Sequence, residues 1–227
     1  MDNKNLFVWD FHGVLEKGNV YAVQKLVNLV LKKFDINKEI TIKEAIDWYG
    51  LSWFDYFKLA TPEGNHQLWQ NMVNKVLLLQ EESWNIIKEN IKVRDFAEET
   101  LNTIKEKGHQ NIILSNTQPE HISSFTDFLG LTQYFDNIIG VDNHYKSRIG
   151  NKEIHDIKSE VLTNFLKEKE YTKVIVIGDK ESDIKAGKNC RATTYLFIDK
   201  EPNEDLKNKE ADYVISDLRE ILKELEF

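Results

Sequence analysis

Acidic side chains directly follow two of the apolar runs in this sequence. Asp10 follows the run Leu6–Trp9, and Asp179 follows the run Lys173–Gly178, with Asp183 close behind it. Short apolar runs rich in valine, isoleucine and aromatic residues are typical of strands buried on both faces. The carboxyl ends of parallel strands meet at one edge of a sheet, where open α/β folds bind their ligands. We therefore expect these carboxylates to lie close together.

Carboxylates that converge in this way call for a cation, because like charges packed together repel one another. Mg²⁺ prefers oxygen ligands and retains bound waters, so it suits such a site. The predicted strand Asn111–Ser115 also ends in polar residues, Ser115 and Asn116, which would offer a hydroxyl group and backbone amides to an anion. A lysine would complete a phosphate pocket. The lysines considered for this role, all preceding the strand Lys173–Gly178, are Lys146, Lys152 and Lys158.

Each of these side chains also has a purely structural interpretation. Asp10 could cap a turn, Asp183 could stabilise the N-terminus of a helix, and Ser115 with Asn116 could be ordinary turn residues. The coincidence of Asp10 with Asp179 and Asp183 favours chemistry over capping for Asp10. A solvated surface charge is the default interpretation for any single lysine.

Helices and strands alternate from residue 92 onwards, which predicts right-handed crossovers and a Rossmann-like parallel sheet with helices on both faces. After the first strand, the predicted strands are Asn111–Ser115, Asn137–Val141, Lys173–Gly178, Thr194–Ile198 and Asp212–Ile215. The predicted helices are Asp95–Lys107, Thr117–Leu129, Asp156–Lys169, Ser182–Asn189 and Asp217–Leu225.

A helical block interrupts this α/β pattern immediately after the first strand and the turn Glu16–Asn19. Apolar residues at helical spacing predict the helices Tyr21–Phe34, Ile42–Tyr49, His66–Leu79 and Ser83–Asn90. The aromatic-rich piece Trp48–Phe57 lies among them, and we expect it to form hydrophobic core. The predicted organisation is an α/β core of residues 1–16 and 91–227, with residues 17–90 inserted as a helical cap.

Composition limits the classes of partner. The net charge of −8 over 227 residues argues against a broad nucleic-acid surface. No apolar run approaches the roughly 20 residues that span a bilayer, and no signal-peptide pattern opens the sequence. The single cysteine, Cys190, suits a reducing compartment. We expect a soluble cytoplasmic protein that binds a small ligand, with no nucleic-acid or membrane partner.

The polar strand ends, taken in order, resemble the four motifs of the haloacid dehalogenase (HAD) superfamily. The matching residues are Asp10-Phe11-His12-Gly13-Val14-Leu15, then Ser115-Asn116, then a lysine, then Gly178-Asp179-x-x-x-Asp183. The helical insertion after the first of these resembles the C1 cap of the same superfamily. The likeness covers nearly the whole α/β core, and its specificity lies in the order of the motifs.

This resemblance implies an Mg²⁺-dependent phosphatase acting on a small phosphorylated metabolite. Asp10 would attack the phosphoryl group and form an aspartyl-phosphate, while Ser115 and Asn116 would bind the phosphoryl oxygens. Lys158 is preferred as the motif lysine, because it lies near the start of its predicted helix, and Lys152 is second. The residues implied to hold Mg²⁺ are Asp10, Asp179, Asp183 and the backbone carbonyl of His12.

His12 departs from the family pattern. Most phosphatases of the family carry a second aspartate two residues after the nucleophile, which protonates the leaving group and then activates water. A histidine imidazole can do both near neutrality. The alternatives are lost turnover, which would leave a protein that binds or senses a ligand, and a hydrolase reaction other than phosphate release. We favour a phosphatase in which His12 takes the role of the aspartate.

Overall fold

A parallel sheet organises the larger part of the chain. The computed structural model describes residues 4–141, 153–167, 169–199 and 210–225. Its strands are β1 Leu6–Trp9, β2 Glu16–Lys17, β3 Lys92–Val93, β4 Gln110–Ser115, β5 Asn137–Gly140, β6 Val174–Gly178, β7 Thr193–Phe197 and β8 Tyr213–Ile215. Six of them form one sheet in the order β5-β4-β1-β6-β7-β8, with every neighbouring pair parallel. The predicted parallel α/β fold is therefore confirmed.

Strand β1 lies in the middle of this sheet because its side chains are apolar on both faces. Every residue from Leu6 to Trp9 is buried. Trp9 is in register with Ile113 of β4 on one side and with Ile177 of β6 on the other. The backbone N–H of Asp10 donates to the carbonyl oxygen of Ile177 at 2.8 Å. Asp10 therefore leaves the sheet between the ends of two neighbouring strands.

Helices surround the sheet and make up the inserted block. They are α1 Asn19–Lys33, α2 Ile42–Asp47, α3 Trp53–Ala60, α4 His66–Glu82, α5 Trp84–Asn90, α6 Ala97–Glu106, α7 Pro119–Phe128, α8 Ile154–Leu166 and α9 Glu181–Asn189. Helix α8 contributes Leu162 to a buried cluster with Leu6 and Val8 of β1 and Val176 of β6. This packing holds α8 against one face of the sheet, beneath the strand that ends in Asp10.

The chain divides into two compact units, and each has its own fold. One unit comprises Met1–Glu16 and Val93–Phe227 and contains the six-stranded sheet; the other comprises Lys17–Lys92. In the second unit α1 packs against α2, α4 and α5, and α3 packs against α4. Among the aromatic residues of that unit, Trp53, Tyr56 and Phe57 are buried. That Lys17–Lys92 acts as a cap stays a prediction.

Three local elements differ from the sequence-based expectation. Glu16–Lys17 is a short strand, β2, which pairs with β3, rather than part of a turn. Within the aromatic-rich piece, Trp53–Ala60 forms a helix that apolar spacing did not reveal, and Ser52 caps its N-terminus through the backbone N–H of Asp55. The last predicted helix is a 3-10 helix, Leu218–Leu225, whose buried residues recur at every third position.

Among the described residues, no helix is both long enough and apolar enough to cross a membrane.

Candidate active site

Lys158 joins two of the carboxylates that the sequence placed at the sheet edge. From α8, its Nζ donates hydrogen bonds to Asp10 Oδ1 at 3.1 Å and to Asp183 Oδ1 at 2.5 Å. The lysine is only 2% exposed. Burial by itself would lower the pKa of Lys158, but the charges and hydrogen bonds of the two carboxylates outweigh burial and raise it. The side chain is therefore a buried cation at the end of β1.

The other two lysines considered from the sequence, Lys146 and Lys152, lie outside the described residues.

Asp10, Asp179 and Asp183 form one acidic cluster. Each offers a carboxylate oxygen, and the three oxygens lie within 4.8 Å of one another. Burial raises the pKa of all three carboxyl groups, and the charge of Asp179 raises the pKa of Asp10 further. Lys158 opposes these shifts at Asp10 and Asp183. At Asp179 the larger opposing charge is that of Lys180, whose Nζ lies 3.4 Å from Oδ2, and Lys158 adds to it.

One carboxylate oxygen of Asp179 bears on whether the cluster binds a metal. Its Oδ1 is buried and, within the part of the chain that the structure describes, has no hydrogen-bond partner. A buried charged oxygen without a partner is costly. Three carboxylates also supply only hard oxygen donors, which divalent cations of the Mg²⁺ type prefer. The cluster therefore fits such an ion, and Asp179 gains the most from it.

Two glycines allow the acidic residues to approach this closely. Gly13 has φ +86°, and a Cβ atom there would lie 2.6 Å from Asp179 Oδ2. At Gly178, a Cβ atom would lie 2.2 Å from the Cβ of Asp183. A side chain at either position would displace a member of the cluster. The glycines of the two motifs are thus explained by packing against these carboxylates.

His12 is held by a residue that sequence reasoning did not single out. Its Nδ1 lies 2.9 Å from Glu16 Oε1, and the same oxygen accepts a hydrogen bond from the backbone N–H of Gly13 at 3.2 Å. Glu16 is fully buried. The charge of His12 also acts on Asp10, lowering the pKa of that carboxyl group. The sequence feature that could have drawn attention to Glu16 is its position, a charged residue between apolar Leu15 and the start of the helical insertion.

Ser115 and Asn116 lie at the end of β4, the strand beside β1. Ser115 is buried, and its Oγ bonds with Thr117, accepting from the backbone N–H at 3.3 Å. Asn116 Oδ1 is buried without a hydrogen-bond partner among the described residues. The structure brings both residues to the same sheet edge as Asp10. Their hydrogen bonds to other described side chains do not include the acidic cluster or Lys158.

Arg94 fixes the loop that follows β1. Its Nη2 donates to the carbonyl oxygens of Gly13 at 2.9 Å and of Glu16 at 3.3 Å, while Nη1 pairs with Asp199. The guanidinium carbon also lies 4.9 Å from the ring centre of Phe197, at the end of β7. Sequence reasoning could not find this pairing, since 78 residues separate Arg94 from Glu16.

A family model matches most of the chain. Residues 4–191 match the model described as haloacid dehalogenase-like hydrolase. The chain belongs to the haloacid dehalogenase-like hydrolase family. The resemblance inferred from the ordered motifs is thereby confirmed.

The individual proteins that resemble this chain share only a limited sequence identity with it. A phosphoglycolate phosphatase from Aquifex aeolicus (strain VF5) is 33% identical over 99 residues, which are 44% of this chain and 44% of that protein. The match thus spans less than half the length of that relative. A HAD-like hydrolase family protein from Streptococcus pneumoniae superposes with a TM-score of 0.78, at 14% identity and over 100% of both chains. A predicted phosphoglycolate phosphatase from Haemophilus somnus superposes with a TM-score of 0.74, at 16% identity over 98% of both chains. At these identities the two structures show the fold.

Proposed function

We propose that this HAD-like hydrolase removes phosphate from a small phosphorylated metabolite through an aspartyl-phosphate intermediate on Asp10. One observation carries the proposal: Asp10 lies at the end of a buried strand, bonded to the buried cation Lys158 and within reach of Asp179 and Asp183. A carboxylate whose negative charge is balanced by a buried lysine can approach an anionic substrate. Family membership and the likeness to a phosphoglycolate phosphatase support phosphoryl chemistry over other hydrolase reactions.

Mg²⁺ is the proposed cofactor. Asp10, Asp179 and Asp183 would hold it, together with the backbone carbonyl of His12. When bound, the ion neutralises negative charge on the phosphoryl oxygens, so that an anionic nucleophile can approach. The unpartnered Oδ1 of Asp179 supports this assignment.

The remaining roles in the reaction are assigned to residues of the chain. A carboxylate oxygen of Asp10 attacks phosphorus, a P–O bond to Asp10 forms, and the P–O bond to the leaving group breaks. Lys158 balances charge at Asp10, while Ser115 and Asn116 bind phosphoryl oxygens. His12 donates a proton to the departing oxygen and later takes one from the water that releases phosphate. Every one of these roles is a proposal.

The test is a phosphatase screen across a metabolite panel that includes phosphoglycolate, run with Mg²⁺ and with a chelator. We expect phosphate release by the natural protein, loss with the chelator, and a fall in kcat of roughly 10³-fold or more for Asp10→Asn. A thermal melt of Asp10→Asn checks that the variant is folded. Full activity of Asp10→Asn on the same substrate would contradict the mechanism.

His12→Asp, run on the same panel, separates catalysis from sensing. If His12 is the working acid and base, the substitution lowers or alters activity. A strong rise in activity would instead indicate that the natural protein is catalytically impaired and serves to bind or sense its ligand.

A further inference from the structure

We propose that Glu16 is a positioning residue for His12: it holds the imidazole as the tautomer that is protonated at Nδ1 and leaves Nε2 to exchange protons with the substrate. The proposal rests on the proposed phosphatase function and extends it to a residue outside the four motifs. It concerns how a histidine can replace an aspartate at this position.

The hydrogen bonds of Glu16 assign the tautomer. Oε1 accepts from the backbone N–H of Gly13 at 3.2 Å, and a backbone amide can only donate. The same oxygen lies 2.9 Å from His12 Nδ1. Since Oε1 is an acceptor in the first contact, the second contact is satisfied when Nδ1 donates its proton to it. A neutral imidazole with its proton on Nδ1 has its lone pair on Nε2.

Two phenylalanine rings also contact the imidazole ring of His12. Its centre lies 5.1 Å from that of Phe11 and 5.0 Å from that of Phe125, with interplanar angles of 79° and 85°. Edge-to-face contacts of this kind favour one ring orientation. Glu16 is itself fixed, since its backbone N–H donates to the carbonyl of Phe11 and its own carbonyl accepts from Arg94. The histidine therefore has one preferred orientation and one preferred tautomer.

In this arrangement, the proton that His12 donates in the first step is restored in the second. In the first step, Nε2–H of the imidazolium gives its proton to the leaving-group oxygen as the P–O bond to that oxygen breaks. The neutral ring, still bonded to Glu16 through Nδ1–H, then takes a proton from water at Nε2. The resulting hydroxide oxygen bonds to phosphorus, the P–O bond to Asp10 breaks, and the carboxylate and the imidazolium are restored. Glu16 stays an acceptor throughout.

A merely structural role for Glu16 would be to anchor the loop through Gly13. Leaving-group dependence separates the two roles. An alkyl phosphate needs a proton on its departing oxygen, whereas p-nitrophenyl phosphate releases a stable anion without one. Only the transfer of phosphate to Asp10 depends on the leaving group, and kcat/KM reports this step, whereas release of phosphate from Asp10 is the same for both esters. A positioning residue therefore lowers kcat/KM for the first ester and spares kcat/KM for the second. A loop anchor affects both esters alike.

The experiment measures kcat and KM of Glu16→Leu on both esters, with Mg²⁺ present. We expect kcat/KM on the alkyl ester to fall roughly 10–100-fold, and kcat/KM on p-nitrophenyl phosphate to change only a few-fold. Glu16→Gln, which retains an acceptor oxygen, should recover part of the loss. In a His12→Asp background, Glu16→Leu should leave the alkyl-ester rate unchanged or raise it. Glu224→Gln, which removes a buried carboxylate paired with Tyr195 and Lys173, is the matched control and should not alter the ratio of the two rates.

A parallel loss of kcat/KM on both esters in Glu16→Leu, with the natural protein active on both, would overturn the role of Glu16 alone. Hydrolysis of neither ester by the natural protein would overturn the proposed function and this role with it. Should Glu16→Leu not fold, nitrogen NMR of the natural protein decides at alkaline pH, where free imidazole is neutral. A His12 ring protonated at Nδ1 supports the proposal, and one protonated at Nε2 overturns it; His12→Asp identifies the signal.

Discussion

At the scale of single residues, the buried charges of the site depend on one another. Lys158 is bonded to Asp10 and Asp183, and all three side chains are nearly inaccessible. Removing one member of a buried ion pair leaves its partners charged and without compensation, which is far more destabilising than losing an exposed pair. Asp179 adds a further negative charge beside them. Lys158 is therefore predicted to stabilise the fold as well as to serve the reaction.

Lys158→Met tests this dependence in the absence of metal. We expect the free energy of unfolding to fall by about 3–5 kcal/mol, because Asp10 and Asp183 lose the cation that balances them. Urea unfolding with a chelator present measures the loss. Lys185→Met is the matched control, since Lys185 pairs with Glu181 at the exposed start of α9 and its removal should leave the unfolding midpoint unchanged.

The loss should grow as pH rises. In the natural protein, burial already raises the pKa of Asp10 and of Asp183 above the ordinary value of 3.8, and Lys158 restrains both shifts. Without the lysine the folded-state pKa values rise further, so the folded state binds more protons than the unfolded chain. Stability then falls as pH increases from about 3.8 through the raised pKa values. An equal loss at mildly acidic and mildly alkaline pH would contradict this account.

Sequence reasoning found the site residues that follow from strand order and missed those that follow from loop conformation. Asp10, Asp179 and Asp183 could be placed together because each follows, or closely follows, the end of an apolar strand in a parallel sheet. The contact of Glu16 with His12 depends on the turn at Gly13, which has positive φ. The glycine at position 13 permits that turn, but it does not specify which later side chain the turn brings to His12.

At the scale of elements, Arg94 connects three segments that are distant in sequence. It bonds the loop after β1 through two carbonyl groups, follows β3 directly, and contacts the end of β7 through Phe197 and Asp199. A planar guanidinium group offers several donors in a fixed arrangement, which a lysine or an aliphatic side chain cannot reproduce. The loop that carries His12 therefore owes its conformation partly to this residue.

Arg94→Met should release that loop without breaking the sheet. We expect a loss of about 2–4 kcal/mol in the free energy of unfolding, from two hydrogen bonds donated by a charged group to backbone carbonyls, one part-buried and one buried. Hydrogen exchange should quicken at residues 13–16, while β1 and β6 stay protected. Arg219→Met removes an exposed arginine that pairs with Asp217, and serves as the control. Unchanged exchange at residues 13–16 in Arg94→Met would refute the role.

The sequence predicted those elements that carry a clear pattern, either a helical period or a short apolar run. The buried strands β1 and β6 and the centre of β4 are such runs, and each prediction overlaps the observed strand. Strands β2 and β3 have only two residues each, which is too short for any periodicity. Helix α3 was hidden because aromatic residues occupy half of its positions, on its half-buried as well as its buried face.

At the scale of the whole molecule, the residues proposed for chemistry all belong to the unit made of Met1–Glu16 and Val93–Phe227. Within it, Lys158 bonds to Asp10 and Asp183 of the acidic cluster, and His12 contacts Glu16. This distribution predicts that metal binding depends on one unit, whatever the helical unit contributes to substrate choice.

Replacement of Lys17–Lys92 by a short Gly/Ser linker tests that prediction. The carbonyl of Leu15 accepts a hydrogen bond from the N–H of Arg94 at 2.9 Å, so the two ends to be joined are adjacent and closing them requires little chain. We expect a cooperative thermal transition and a rise in Tm on adding Mg²⁺, equivalent to about 2.7 kcal/mol at 100-fold the Kd. Asp179→Asn in the shortened chain should abolish the Mg²⁺ response and leave the transition cooperative. A shortened chain that unfolds without cooperativity, or that folds yet gives no response to Mg²⁺, would show that the helical unit is needed for the fold or for the metal site.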